Sequence, residues 1–200
     1  MKKYFYKDDN LYDEDGKSVM MGWERPVMKK VSDLICFNKG DILNIGFGMG
    51  IVDTYIQEHN PSSHTIIERH PDVINKMKSD GWEEKSNCLF GGWQDFLNVI
   101  GQFDGIYLDT WYDNRNPKIV KQLIDNHLKV GGVFSVWYNE GEFNSLVKVL
   151  DENYSVELHK IKNNDLISKK QYLDGGTYID PESDYIIVPT IKKTIISLSL

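Results

Sequence analysis

Residues 41–50, Asp-Ile-Leu-Asn-Ile-Gly-Phe-Gly-Met-Gly, constrain the fold more than any other stretch. The apolar run 41–46 reads as a short buried strand that ends in Gly46, Gly48 and Gly50. Glycines at a strand end permit a tight turn and let a ligand approach the backbone. The apolar spacing of Ile51, Tyr55 and Ile56 predicts a helix over 51–59, whose N-terminus can help hold an anion or a polar tail. The nicotinamide fingerprint G-x-G-x-x-G requires glycine at 51, where this chain has Ile51. No Gly-Lys-Ser/Thr of a phosphate loop follows either.

The flanking pattern alternates strand and helix. Val27, Val31, Leu34 and Ile35 lie at helical spacing within 19–37, with Pro26 suited to the first turn and Lys39-Gly40 to the stop. Strands are expected at 64–68, at 88–90 (weakly), at 103–108 and at 133–138. Helices are expected at 71–79, 117–128 and 143–150, with Gly131-Gly132 closing the second of these. Two late strands, 156–161 and 185–191, suggest an antiparallel edge hairpin. Alternation of this kind predicts a parallel sheet with helices on both faces. Residues 1–18, polar and rich in Tyr, Asp and Lys, read as a loose arm that could cover a site.

Composition removes several alternatives. The 200 residues suit one domain, and 40% hydrophobic content with eleven Tyr, eight Phe and five Trp argues against disorder. A net charge of −7 argues against a general nucleic-acid binder, which needs a basic footprint. Cys36 and Cys88 form no metal spacing and read as reduced thiols, and His59, His64, His70, His127 and His159 are scattered and read as incidental. No apolar run approaches the ~20 residues of a membrane span, and residues 1–10 lack the apolar core of a signal peptide. The expectation is a cytoplasmic protein without membrane or nucleic-acid partners, a monomer or homodimer.

Three acids stand where chemistry is done. Glu68 ends the second strand about 20 residues after the glycine turn, where an acid accepts hydrogen bonds from ribose hydroxyls. Asp109 follows the 103–108 strand, and ligands bind at the carboxyl ends of parallel strands. Glu24, in Trp23-Glu24-Arg25-Pro26, read alone is an acid favoured by a helix dipole. Trp93, in Gly92-Trp93-Gln94-Asp95, suits an adenine wall and a plain core position equally.

Taken in order, these segments resemble the guanidinoacetate N-methyltransferase family and the related arginine N-methyltransferases. The resemblance rests on Gly16-Lys-Ser-Val-Met-Met-Gly-Trp-Glu-Arg-Pro-Val-Met28, Ile42-Leu-Asn-Ile-Gly-Phe-Gly-Met49 and His64-Thr-Ile-Ile-Glu68. It continues through Gly91-Gly-Trp-Gln-Asp95, Phe103-Asp-Gly-Ile-Tyr-Leu-Asp-Thr110, Lys129-Val-Gly-Gly-Val133 and Asp184-Tyr-Ile-Ile-Val-Pro189. It implies a Rossmann-like class I methyltransferase fold: a mostly parallel seven-stranded sheet with an antiparallel edge hairpin and helices on both faces. Residues 19–200 would be the single methyltransferase domain, with 1–18 as its arm or lid. The implied cofactor is S-adenosyl-L-methionine, leaving as S-adenosyl-L-homocysteine.

The resemblance also implies roles. Gly46, Phe47, Gly48, Met49, Gly50 and Ile51 would hold the methionine part and the sugar, and Glu68 the ribose. Arg69, His70, Gly92 and Trp93 would border the adenine, and Met28 would touch the cofactor from the N-terminal side. Glu24 and Asp109 would grip a guanidino group, with Asp109 as proton acceptor, while Met20, Asn139 and Glu140 would meet the rest of the substrate. Guanidinoacetate is the first expectation for that small guanidino substrate, giving creatine, and arginine, free or as a side chain, is the alternative. A catalytically inactive methyltransferase-like binding subunit is the alternative of another class, supported by Asn44 alone. Asn44 stands where the family carries an acid, which implies altered hydrogen bonding near the methionine amine. Residues 137–140 depart from the family run that receives the substrate carboxylate, and Glu140 would repel a carboxylate placed there.

Overall fold

The computed structural model describes residues 1–110, 116–162 and 183–194. Its centre is β4 (Asp41–Ile45), flanked by β5 (Ser63–Glu68) and β7 (Phe103–Leu108), both parallel to it. β6 (Asn87–Phe90) extends the sheet beyond β5, and β8 (Leu128–Val136) extends it beyond β7, again in parallel. β10 (Tyr185–Lys193) pairs antiparallel with β8 and with the edge strand β9 (Tyr154–Lys162), giving the order β6-β5-β4-β7-β8-β10-β9. The expected parallel sheet with an antiparallel edge hairpin is therefore present.

Strand alternation sorts the core into two layers. Ile42 and Tyr107 enter a cluster with Val27, Val31 and Ile35 of α1 (Arg25–Ile35), Val52 and Ile56 of α2 (Ile51–Glu58) and Met77 of α3 (Pro71–Ser79). Leu43, Ile45, Ile106 and Leu108 face the other way, toward Leu123 and Ile124 of α4 (Pro117–His127) and Phe143 of α5 (Glu140–Val147). Each fully buried aliphatic side chain contributes about 2 kcal/mol. Helices on both faces explain why β4 reads as nearly continuous apolar sequence. α1 packs closely because β7 carries Gly105, where a Cβ would lie 2.2 Å from the Ile35 carbonyl oxygen.

Two expectations change. Residues 1–18 are not a loose arm: β1 (Tyr4–Lys7), β2 (Asn10–Asp13) and β3 (Ser18–Met21) form a separate antiparallel sheet. Its first hairpin turns on Asp8 (φ 49°) and Asp9 (φ 62°), both left-handed, the geometry of a two-residue hairpin loop. Arg25 holds that turn, donating to both Asp9 carboxylate oxygens at 2.7 and 2.8 Å. The second change is at Gly131-Gly132, which do not separate helix from strand. α4 stops at His127 and β8 runs through both glycines, with a register shift opposite Phe103–Gly105 that Gly131 (φ 81°) accommodates.

Candidate functional site

The carboxyl ends of β4, β5 and β7 open into a cavity of about 320 Å³, the size class of small-ligand sites. Gly46, Gly48, Glu68, Arg69, His70, Trp93, Asp109 and Met20 line it, bringing together eight of the residues singled out above. The roof comes from Lys2 and from Tyr4, Leu11 and Val19 of the N-terminal sheet, so the segment read from sequence as a possible cover does lie over the cavity.

The glycine turn is held from several sides. Glu68, 8% exposed, accepts from the Phe47 N–H at 2.8 Å and from the Arg69 and His70 N–H groups at 2.7 Å each. Its carboxylate therefore ties β5 to the turn while facing the cavity. The Met49 N–H points at the Met20 sulfur, 3.2 Å away, and the Tyr6 hydroxyl donates to the Gly48 carbonyl at 2.9 Å. Burial, and then the Glu68 charge, push the Tyr6 hydroxyl pKa up, so Tyr6 stays a donor. A Cβ on Gly48 would meet the Met20 sulfur at 2.8 Å. N-terminal sheet and glycine turn are thus in direct contact.

On the β5 side aromatic rings stand beside Glu68 and Arg69. Trp93 is buried, after Gly92 at the head of a short 3₁₀ turn. The His70 ring stacks on Tyr4 with centroids 3.6 Å apart, and its Nε2 lies 2.8 Å from the Lys2 carbonyl, to which it donates. His70 Nδ1 accepts from the Asp72 N–H at the head of α3. His70 is thus a cap and a wall, not an incidental ring. On the β7 side, Asp109 lines the cavity and accepts from the Tyr107 hydroxyl at 3.3 Å. Thr110, beside it, has a buried Oγ1 without a hydrogen-bond partner among the described residues. An unpartnered hydroxyl on a cavity wall suits a polar ligand.

Other named residues lie off the wall. Met28 is fully buried in the α1 layer, Ile51 starts α2 inside the same cluster, and Gly50 is the left-handed cap of α2 at φ 69°. The Phe47 ring packs edge-on against Trp82, centroids 5.2 Å apart. Glu24 is 1% exposed and accepts from the Met21 N–H at 2.6 Å. Its neighbour Trp23 meets Trp137 edge-on at 6.5 Å, and the Trp137 N–H bonds the Leu108 carbonyl, next to Asp109. Glu24 itself is not among the residues that line the cavity. Asn139 caps α5 by accepting from the Glu142 N–H, and Glu140 is exposed in that helix's first turn. Trp111, two positions after Asp109, lies outside the described residues.

The residues fit an adenosyl amino acid: a stacked aromatic wall, a buried acid on β5, glycine backbone at the turn and a polar β7 end. Among the described residues no group of His, Cys, Asp and Glu is arranged to hold a metal ion, and no helix is long and apolar enough to cross a membrane.

Known proteins share this sequence family and this fold. The family model for guanidinoacetate N-methyltransferase matches residues 2–170. A protein arginine N-methyltransferase 2 from Candida glabrata is 43% identical over 152 residues, 70% of this chain and 37% of that protein. The chain thus spans under two fifths of that relative's length. A putative SAM-dependent methyltransferase from Streptococcus mutans superposes with TM-score 0.63 at 12% identity, covering 96% of this chain and 55% of that one. An O-methyltransferase from Bacillus cereus, solved in complex with SAH, gives 0.59 at 12%, covering 84% and 81%. The chain belongs to the guanidinoacetate N-methyltransferase family and carries the Rossmann-like fold of S-adenosylmethionine-dependent methyltransferases.

Proposed function

We propose that the protein methylates a guanidino nitrogen of arginine, free or as a side chain, with S-adenosyl-L-methionine as donor. The observation that carries this reading is Asp109 on the wall of the cavity, at the β7 end; Glu24, buried and held by the Met21 N–H, is the second carboxylate we assign to the guanidino group. The bound cofactor supplies an electrophilic methyl group and leaves as S-adenosyl-L-homocysteine.

A guanidinium presents five N–H donors in one plane and no acceptor. Glu24 and Asp109 answer it with two carboxylates, which bind it by charge-assisted hydrogen bonds. Its pKa exceeds ~12, so its nitrogens are poor nucleophiles until a proton leaves. Asp109, nearest the cavity, takes that proton as the carbon–nitrogen bond forms. The Tyr107 hydroxyl, donating to Asp109 Oδ2, fixes the carboxylate's orientation. Glu24, held by the Met21 N–H, keeps the guanidine in plane and balances its charge.

Arginine is favoured over guanidinoacetate for two reasons. The Candida glabrata relative bears the arginine methyltransferase name. Glu140, at the head of α5 next to Asn139, would oppose a carboxylate held one carbon from the guanidino group, as in guanidinoacetate, more than the distant or amide-linked carboxyl of arginine. The test is incubation with methyl-labelled cofactor and guanidinoacetate, arginine, agmatine and an arginine-containing peptide. Label on arginine or the peptide supports the reading, label on guanidinoacetate alone reverses the substrate order, and label on none of them defeats it.

A further inference from the structure

Far from the cavity, the seven-stranded sheet ends in a long open edge. Among the described residues its last strand, β9, pairs with β10 alone. Val156 is 38% exposed and Leu158 51%, on the face they share with Pro189 and Ile191 of β10. The direction of the backbone groups along β9 follows from two contacts. The Thr194 N–H bonds the Asn153 carbonyl at 2.7 Å, one step past the Tyr154–Lys193 pair, so Asn153 and every second residue after it turn their N–H and C=O toward β10. Pro189, opposite Leu158, has no N–H and accepts at its carbonyl from the Ser135 hydroxyl of β8 at 2.8 Å, as that alternation requires. Val156, Leu158 and Lys160 therefore turn their N–H and C=O groups away from β10, the arrangement that lets an edge strand accept another strand.

We infer that β9 is a self-association edge, on which a second copy of this chain pairs antiparallel across a two-fold axis at Leu158. The occupant and the register are both read from the strand, because its sequence complements itself. An outward-turned residue must meet an outward-turned residue, so Leu158 can lie opposite Val156, Leu158 or Lys160 of the second copy. With Leu158 on the axis, Val156 meets Lys160, Tyr154 meets Lys162 and Glu157 meets His159. Leu158 opposite Val156 would set Glu157 against Glu157, like charges face to face. Leu158 opposite Lys160 would set His159 against His159 and Glu157 against Ile161. Only the register centred on Leu158 joins acid to base, and it does so at the non-hydrogen-bonded positions, where facing side chains stand closest. Glu157 is exposed and already lies 3.7 Å from His159 of its own chain, so it can turn to the same ring of the second copy. Lys160 lies over the Tyr185 ring at 5.3 Å, which keeps its charge off the axis. β8 and β10 stand between β9 and β7, so this edge is separate from the cavity and from the methyl-transfer reading.

The test is sedimentation velocity of the full chain over a concentration series, with cysteine cross-linking to read the register. The wild type is expected to sediment as a reversible mixture of monomer and dimer. Glu157→Lys sets a cation opposite His159 and is expected to weaken the dimer at least tenfold. Adding His159→Glu should recover at least fivefold of that loss, because acid and base then face each other with places exchanged, a rescue that a damaged fold would not show. Leu158→Cys should give a covalent dimer on mild oxidation, since a hydrogen-bonded pair holds its Cα atoms about 5.5 Å apart, within disulfide reach. Val156→Cys, which meets Lys160, should not, and the wild type with Cys36 and Cys88 is the control for both. A wild type that stays monomeric up to about 100 μM, a dimer unaffected by Glu157→Lys, a double variant no better than the single one, or equal cross-linking from positions 156 and 158 overturns the inference.

Discussion

Gly46 runs directly under Asp109: a Cβ on residue 46 would lie 1.8 Å from the Asp109 carbonyl oxygen. The contact is backbone to backbone, made while the Asp109 N–H bonds the Ile45 carbonyl, so neither strand end can yield alone. Gly46 also sits at φ 95°. Gly46→Ala is expected to cost about 2–4 kcal/mol by combining backbone strain with a clash in the core of the sheet. Urea denaturation measures it, and a loss below about 1 kcal/mol would show that the turn relaxes.

Asp109→Asn keeps the shape of the cavity wall and removes the proton acceptor. Methyl transfer should fall at least ~10²-fold, with cofactor affinity held within a few-fold. Full activity in this variant on a confirmed substrate would falsify the role of Asp109 as base.

Glu68→Gln replaces a carboxylate that accepts three backbone N–H groups with an amide offering one acceptor oxygen. Hydrogen bonds to a charged group contribute about 1.5–3 kcal/mol each, so stability should drop by roughly that much even before any ligand is added. Cofactor affinity should drop as well, because Phe47 and the turn lose their tie to β5. Thermal denaturation with and without S-adenosyl-L-homocysteine separates the two effects, and a variant that melts like the wild type without ligand contradicts the account.

At the opposite end of the sheet, Asp104 accepts from Lys129, the Asp41 N–H and the Asn38 amide. Burial raises its carboxyl pKa, and these partners outweigh it, leaving the group below the usual carboxylate range. A pKa lowered by folding adds stability above the unfolded value of about 3.9, and that stability is lost as pH falls through the folded value. Asp104→Asn should therefore cost about 1 kcal/mol at pH 7 and converge with the wild type near pH 2. Parallel denaturation curves at both pH values check this, and a gap that persists in acid points away from the ion pair.

Most of the parallel sheet was legible in the chain. β4, β5 and β7 have buried residues on both faces, so their apolar runs stand out against the flanking helices, and the acid or glycine at each strand end marks the edge where the cavity opens. The N-terminal sheet was not legible. Its strands have four residues each, and its first hairpin turns on Asp8-Asp9 rather than on a glycine pair. That turn is held by Arg25, 16 positions from Asp9, a partner no local pattern announces.

The same division holds within the cavity. The sequence by itself determined which backbone could be approached, through Gly46 and Gly48, and which acids could serve, through Glu68 and Asp109, because those roles depend on residue type at a strand end. Only the tertiary structure decided what those groups are held by. Glu68 accepts three N–H groups from two strand ends, Glu24 accepts from the Met21 N–H, and Asn44 answers a carboxylate nine positions away on α2. Hydrogen bonds and ring contacts of this kind are set by distances between elements, and those exist only once the sheet has brought its strand ends together.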